Sequence, residues 1–490
     1  MSSGTVAVIG AGMGGLSAAI DARSRGLAVT LFERAPEVGG KLRAFRIGDH
    51  AIDSGPTVFT MRWIFDDLFA AADAALEDYV PIVPADTLAR HYWDDGSCLD
   101  LHADLDASCA AVEAFASARD ADAYRRFTED SGRIFDTLDS SFMRAPRPGP
   151  LKLTRNVGFS HIGDLLATRP FVSLWRDLTQ RFQDPRLAQL FGRYATYCGS
   201  NPFLAPATLM LIAEAERRGV WYVTGGMLQL AVGLEKLLRQ LGGTVRTACP
   251  IRLIDPDTAG GYRIETEQGH SEHFDAVIFN GDSEALAAGL LGPAVATATP
   301  PRSEDGFSLS AVTWSLAGST SGIELSHHTV LFSDDYRLEF EALWKERELP
   351  PYPTLYLCAP QAAAAGADRQ PLFLLANAPS RTLSAAELDT YEAWINAALA
   401  RHGLTLDYRT EDRIVTTPNS FAERFPGSRG ALYGRPTHGF AGSFRRPGAR
   451  TRLPGLFLAG GSVHPGAGIP MATQSGRLAA ADTFAYLSRR

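Results

Sequence analysis

The stretch "VAVIGAGMGGLSAAIDARSRGLAVTLFER", Val6 to Arg34, sets a short apolar run against a glycine cluster, then helical spacing, then a second apolar run that closes on an acid. Gly10, Gly12 and Gly15 spell GxGxxG directly after a predicted strand, Val6–Ile9, and Leu16–Arg25 carries the apolar period of a helix. One turn needs one or two glycines; this many imply a ligand. Gly10 permits the tight turn, Gly12 lets a pyrophosphate approach the backbone, and Gly15 lets helix and strand pack closely, with the phosphates at the positive helix end. Gly14 has no role in this account. The second predicted strand, Ala28–Phe32, ends at Glu33, where the fingerprint places an acid that accepts the two ribose hydroxyl protons. An α/β, Rossmann-like dinucleotide-binding unit is expected.

Outward from that motif, 490 residues are enough for two domains, and 45% hydrophobic with 21% charged residues fits a globular protein. A formal net charge of -8 without a dense basic run argues against nucleic acid as a partner. Five scattered cysteines, Cys98, Cys109, Cys198, Cys249 and Cys358, suggest neither a disulfide framework nor a metal site, and point to a reducing cytoplasm. No removable leader is expected, because Val6–Ile9 runs straight into the glycines. No run reaches the roughly 18 apolar residues of a membrane span, so any membrane contact should be peripheral.

The next stretch, "PEVGGKLRAF" from Pro36, adds the pair Gly39 and Gly40 and the cations Lys41 and Arg43. A nicotinamide enzyme has no use for them there. The arrangement resembles the extended fingerprint of the flavoprotein superfamily that includes amine oxidases and carotenoid desaturases, which implies FAD. Two distant segments resemble the rest of such a site. From Gly242, alternating residues predict a small sheet in which Ile251 corresponds to the residue that touches the adenine through its backbone, followed by a buried strand, Ala276–Asn280. From Leu453, a further strand, a glycine loop and a helix beginning near Pro470 and Met471 would aim free N–H groups at the flavin. Many relatives carry an acid where this chain has Gly461, so that position would offer backbone contacts alone.

"DSGPTVFTMRWIFDDLF" from Asp53 and "GGSVHPGAGIPMATQSGR" from Gly460 resemble signatures of bacterial carotenoid desaturases of the phytoene desaturase type. By that resemblance Gly55, Pro56 and Thr57 join the cofactor site. Met61, Arg62 and the PMATQSGR segment ending at Arg477 are closer to the 1-hydroxycarotenoid 3,4-desaturases, the hydroxyneurosporene and methoxyneurosporene desaturases. The implied architecture is a discontinuous FAD-binding domain, residues 1–80, 220–300 and 420–490. An inserted α+β substrate domain with a helical subdomain, 81–219 and 301–419, completes it.

The implied substrate is an acyclic carotenoid. The chemistry removes a hydride from one allylic carbon and a proton from its neighbour, with the polyene carrying the charge between. Dioxygen or a quinone would take the electrons, since no second nucleotide fingerprint appears. Phe171, Trp175, Phe182, Phe191, Tyr194 and Tyr197, with predicted strands at Phe307–Leu316 and Leu355–Cys358, are assigned to the walls of a long apolar tunnel. Helices within Leu151–Arg217 mix aromatics and cations and are the candidate surface for lipid at the cytoplasmic face of a membrane. His464, in the loop expected to meet the flavin, is the catalytic candidate, with loop shaping as its other reading. The adjacent His327 and His328 have no site that spacing can assign, and no metal is expected. A phytoene desaturase, a carotenoid isomerase, an amine or porphyrinogen oxidase and a prenyl-protein escort module are the alternatives the same motifs leave.

Overall fold

The computed structural model describes residues 4–360 and 369–490, so small parts of the spans 1–80 and 301–419 lie outside it. The nucleotide motif sits in a five-stranded parallel sheet ordered Thr244–Arg246, Ala28–Phe32, Thr5–Ile9, Ala276–Phe279, Leu456–Leu458. Parallel strands are covered on both faces, which is why these segments read as unbroken apolar runs; Ala276–Phe279 is buried at every position. The first helix starts at Met13 rather than Leu16, because the glycines themselves form its first turn.

Gly14, given no role by the sequence argument, turns out to have one. A Cβ there would lie 2.8 Å from the Gly460 nitrogen and 2.9 Å from the Ala472 carbonyl oxygen. Gly476 faces it, and a Cβ on that residue would come within 2.1 Å of the Gly14 oxygen. The helices Met13–Ser24 and Ile469–Leu487 therefore touch backbone to backbone, an approach that only glycine permits.

A second, mixed sheet runs in the order Leu404–Asp407, Ser310–Gly322, Gln370–Ala378, Leu355–Cys358, His328–Leu331, Thr87–Tyr92, Cys98–His102, with Arg413–Thr416 also paired to Ser310–Gly322. Side chains alternate across it. One face buries Val312, Trp314, Leu316, Leu372, Leu374 and Leu357 against the helix Ala385–Arg401. The register Thr313–Leu375–Tyr356 places those three side chains on the opposite face.

Helices Leu105–Phe115 and Ala118–Leu138, capped by Asp104 and Ser117, begin a helical layer. Here the aromatic assignment is corrected. Phe191 stacks with Tyr124, Phe182 and Tyr194, Phe127 packs against Phe182 and Phe191, and Trp175 packs on Phe203 and Tyr336. Helix Pro185–Gly192 turns its apolar face inward onto Ala118–Leu138, which makes these rings core. Only Phe171 and Tyr197 of the six reach the large cavity.

Candidate functional site

One continuous cavity of about 1040 Å³ joins the glycine cluster to the protein surface. It runs from Gly10, Gly12 and Glu33, past Thr57, Met61 and Gly461, to a rim at Ile162, Leu166 and Phe171. Gly14, Gly39, Gly40, Lys41, Gly55, Pro56, Ile251, Pro470 and Met471 also line it. Gly15 does not, because it faces its own strand: a Cβ there would lie 1.9 Å from the Gly10 oxygen. His464 does not either. It is 2% exposed, its Nε2 lies 3.0 Å from the Phe142 oxygen and 2.9 Å from the Ala145 oxygen, and burial holds its pKa down at about 4. It ties two loops together and presents no nitrogen to the cavity.

The nucleotide end has the form of a phosphate cradle. Gly12, in an extended conformation, caps the helix Met13–Ser24 without a side-chain bond, so the first-turn N–H groups remain free. Gly39 and Gly40 have φ of +115° and +63°, and a Cβ on Gly39 would lie 2.2 Å from the Leu42 oxygen. Glu33 is buried, with one carboxylate oxygen accepting from the Ala11 N–H at 2.7 Å and the other from the Ala35 N–H at 2.8 Å. The carboxylate thus holds the glycine turn as well as facing the cavity, and each oxygen keeps a second lone pair for a hydroxyl.

Cations gather farther along. Burial pushes the Lys41 ammonium down to about 8, against the raising influence of Asp282, and its Nζ donates to the Leu432 oxygen. All three guanidinium nitrogens of Arg43 are buried without a partner, between the rings of Phe45 and Phe421. Arg446 is 2% exposed, lowered to about 10 by burial, and donates to the Tyr433, Gly461 and Arg435 carbonyls at 2.8, 2.9 and 2.6 Å. The free amides, the cleared glycine surfaces and the unpartnered cation fit a long dinucleotide with two phosphates. At the other end of the cofactor seat, the helix Ile469–Leu487 begins at Gly468 without a capping side chain.

Cavity residues are tied to one another, and to groups behind the cavity wall, by contacts the sequence does not show. Thr57 Oγ1 lies 2.6 Å from the Tyr356 hydroxyl, which lies 2.7 Å from His328 Nδ1. Burial drives His328 well below the usual histidine range, so it is neutral. His327 and His328 meet Cys358, their ligand-type atoms all within 4.8 Å of one another. Arg193, Tyr197 and Tyr336 also line the cavity. These groups are far apart in the chain, and only sheet register and helix packing bring them together.

A family model described as flavin containing amine oxidoreductase matches residues 13–483. A hydroxyneurosporene desaturase of Rubrivivax gelatinosus is 41% identical over 98% of this chain and 93% of its own. One from Cereibacter sphaeroides is also 41% identical, over 99% of this chain and 98% of its own. Among solved structures, putrescine oxidase with putrescine bound superposes with a TM-score of 0.61 at 16% identity, covering 99% of both chains. Among the described residues, no helix is long and apolar enough to cross a membrane.

Proposed function

Because the chain belongs to the flavin containing amine oxidoreductase family, we propose that its reaction is the removal of two hydrogens across the 3,4 bond of an acyclic carotenoid bearing a hydroxyl or methoxyl at C1. It is an FAD-dependent oxidoreductase acting on CH–CH bonds, with carotenoid desaturases as its relatives. The observation that carries the substrate reading is the continuous cavity, which leads from the phosphate cradle past Thr57 to an apolar rim. A rigid polyene needs such a passage, whereas a small amine does not.

Bound FAD supplies the two-electron acceptor. The chain positions the substrate: Leu375 and Phe373 on the sheet face and Leu209 and Ile212 on the helical side supply apolar cavity wall. The hydrogen-bonded series Thr57, Tyr356, His328 fixes the hydroxyls along this wall, and because burial disfavours the His328 cation the released proton is left to water. The experiment is a paired assay of the FAD-loaded protein with 1-hydroxyneurosporene or phytoene in liposomes, read by absorption and mass. Loss of two hydrogens from the hydroxylated carotenoid is expected. Turnover of phytoene alone would replace the substrate, and isomerisation without a mass change would replace the reaction.

The exposed apolar rim supports contact with lipid, and the cytoplasmic face is the side proposed for it. Ile162, Leu166 and Phe171 are 43, 61 and 73% exposed, with Leu151 exposed on the nearby helix Pro150–Val157, and Lys152, Arg155 and Arg169 lie beside these residues in the chain. Apolar residues at a tunnel mouth with cations around them suit a headgroup boundary. Each large apolar side chain buried in lipid contributes about 1.5–3 kcal/mol, so Leu166→Ser with Phe171→Ser should lower liposome binding at least tenfold in flotation. Wild-type protein that stays at the bottom, with or without anionic lipid, would refute the docking. Dioxygen or a quinone dissolved in that lipid is the proposed electron acceptor.

Lys41 gives a pH test. Its folded pKa of about 8 lies below the ordinary lysine value of 10.5, so its charge destabilises the apoprotein below pH 8 and that cost is relieved as pH rises. Phosphate favours the charged form. FAD affinity should therefore fall as pH climbs through 8, while apoprotein stability gains from the same residue. Equal dissociation constants at pH 7 and 9.5 would remove Lys41 from the cofactor's electrostatics.

A further inference from the structure

The cavity is apolar along most of its length, yet its sheet end holds polar groups with nothing to bond. Thr313 Oγ1 and the Tyr336 hydroxyl are both buried without a partner, and both residues line the cavity. Thr313 is 2% and Tyr336 5% exposed. Arg193 also lines the space; its guanidinium lies 5.4 Å from the ring centres of Tyr197 and Tyr356 and donates to the Tyr197 hydroxyl at 3.3 Å. Glu216, whose pKa burial raises, is the carboxyl group of this cluster and accepts from Tyr194 at 2.6 Å.

An apolar tunnel for a pure hydrocarbon has no use for a guanidinium and two idle hydroxyls, because each unpaired buried group is destabilising. We propose that Arg193, Tyr336 and Thr313 form a subsite for the oxygen at C1 of the carotenoid. The assignment rests on the carotenoid reading above and deepens it. Arg193 donates to the oxygen; Tyr336 or Thr313 accepts from a hydroxyl and donates to a methoxyl, so both end groups are satisfied.

Position supports the same conclusion. C1 is two carbons from the 3,4 bond, so a group that reads it must stand next to the reacting bond, not at the far end of the tunnel. The Tyr356 hydroxyl, on the sheet face beside Arg193, is bonded to Thr57, in the segment assigned to the flavin seat. The rim residues Leu166 and Phe171 are exposed, whereas Thr313 and Tyr336 are buried inside. The substrate therefore enters with its oxygenated end leading.

The test is equilibrium binding of 1-hydroxyneurosporene and 1,2-dihydroneurosporene, which differ by that oxygen alone, to FAD-loaded protein. Wild type should prefer the hydroxylated carotenoid at least tenfold. Arg193→Met should bring the ratio close to one, and Tyr336→Phe and Thr313→Val should each reduce it about threefold or more. Flavin absorption reports folding; if Arg193→Met loses its flavin, the two conservative variants decide. A ratio unchanged in those variants, or no preference in wild type, overturns the subsite. Product mass separates the two proposals: desaturation of both carotenoids with equal affinity removes the subsite and leaves the desaturase, whereas failure to bind either removes both.

Discussion

Gly12→Val should purify as a colourless, folded apoprotein. Gly12 has φ -72° and ψ 176°, a conformation that valine adopts without strain. A Cβ would meet Asn280 Nδ2 at 3.2 Å and the Gly39 oxygen at 3.9 Å, with nothing else within 4 Å. A small shift accommodates the chain. The branched methyls, however, enter the space where phosphate oxygens must meet the helix N–H groups. FAD affinity should fall at least 100-fold, about 2.7 kcal/mol, with the far-ultraviolet dichroism of wild type retained. Gly15→Ala makes the contrast, since its Cβ would collide with the Gly10 oxygen and damage the fold itself. Stoichiometric flavin in purified Gly12→Val would mean that the phosphates sit elsewhere.

Arg446→Met should be the most damaging change among the cavity's cations. Its guanidinium joins three loops by donating to the carbonyls of Tyr433, Arg435 and Gly461. Methionine keeps the length and leaves all three acceptors without that donor, each at a cost of about 1–3 kcal/mol when buried. The loss is partly offset, because Arg446 is itself desolvated and repelled by Arg302 and Arg435. A net destabilisation of about 2–4 kcal/mol is expected. Arg446→Lys should recover only part of it, since an ammonium lacks the planar fork. Thermal unfolding followed by flavin release checks this; a midpoint equal to wild type would show that water serves the three carbonyls equally well.

The cofactor half of the site was legible because its determinants are local. A strand, a glycine turn, a helix and an acid within Val6–Glu33 constrain one another through nearest neighbours, and Gly39–Lys41 lies just beyond. Gly14 was illegible for the opposite reason: the atoms it must avoid belong to Gly460 and Ala472. Aromatic spacing could not separate Phe191, which turns into the helical core, from Phe171, which reaches the rim, because both satisfy the same helical period. His464 drew attention by its place in a flavin-facing loop, yet its side chain turns the other way to bond Phe142 and Ala145. The strands that carry Thr313 and Tyr356 were legible as tunnel wall, but the place of Arg193 was not, since a charge inside a tunnel and a charge on a surface helix look alike until the register Thr313–Leu375–Tyr356 is known.

The backbone contact between Gly14 and Gly476 also has a bearing on biosynthesis. The helix Met13–Ser24 leaves the ribosome more than 400 residues before the partner it fits, Ile469–Leu487. At about 5–20 residues per second, that separation lasts roughly 20 to 90 seconds; for about the first half of it the strand Thr5–Ile9 also lacks Ala276–Phe279, and for nearly all of it the edge strand Leu456–Leu458 has yet to be made. Flavin capture by the finished cradle therefore waits until Leu456–Leu458 and Ile469–Leu487 have been made, and nascent chains stalled before residue 456 should hold no yellow cofactor.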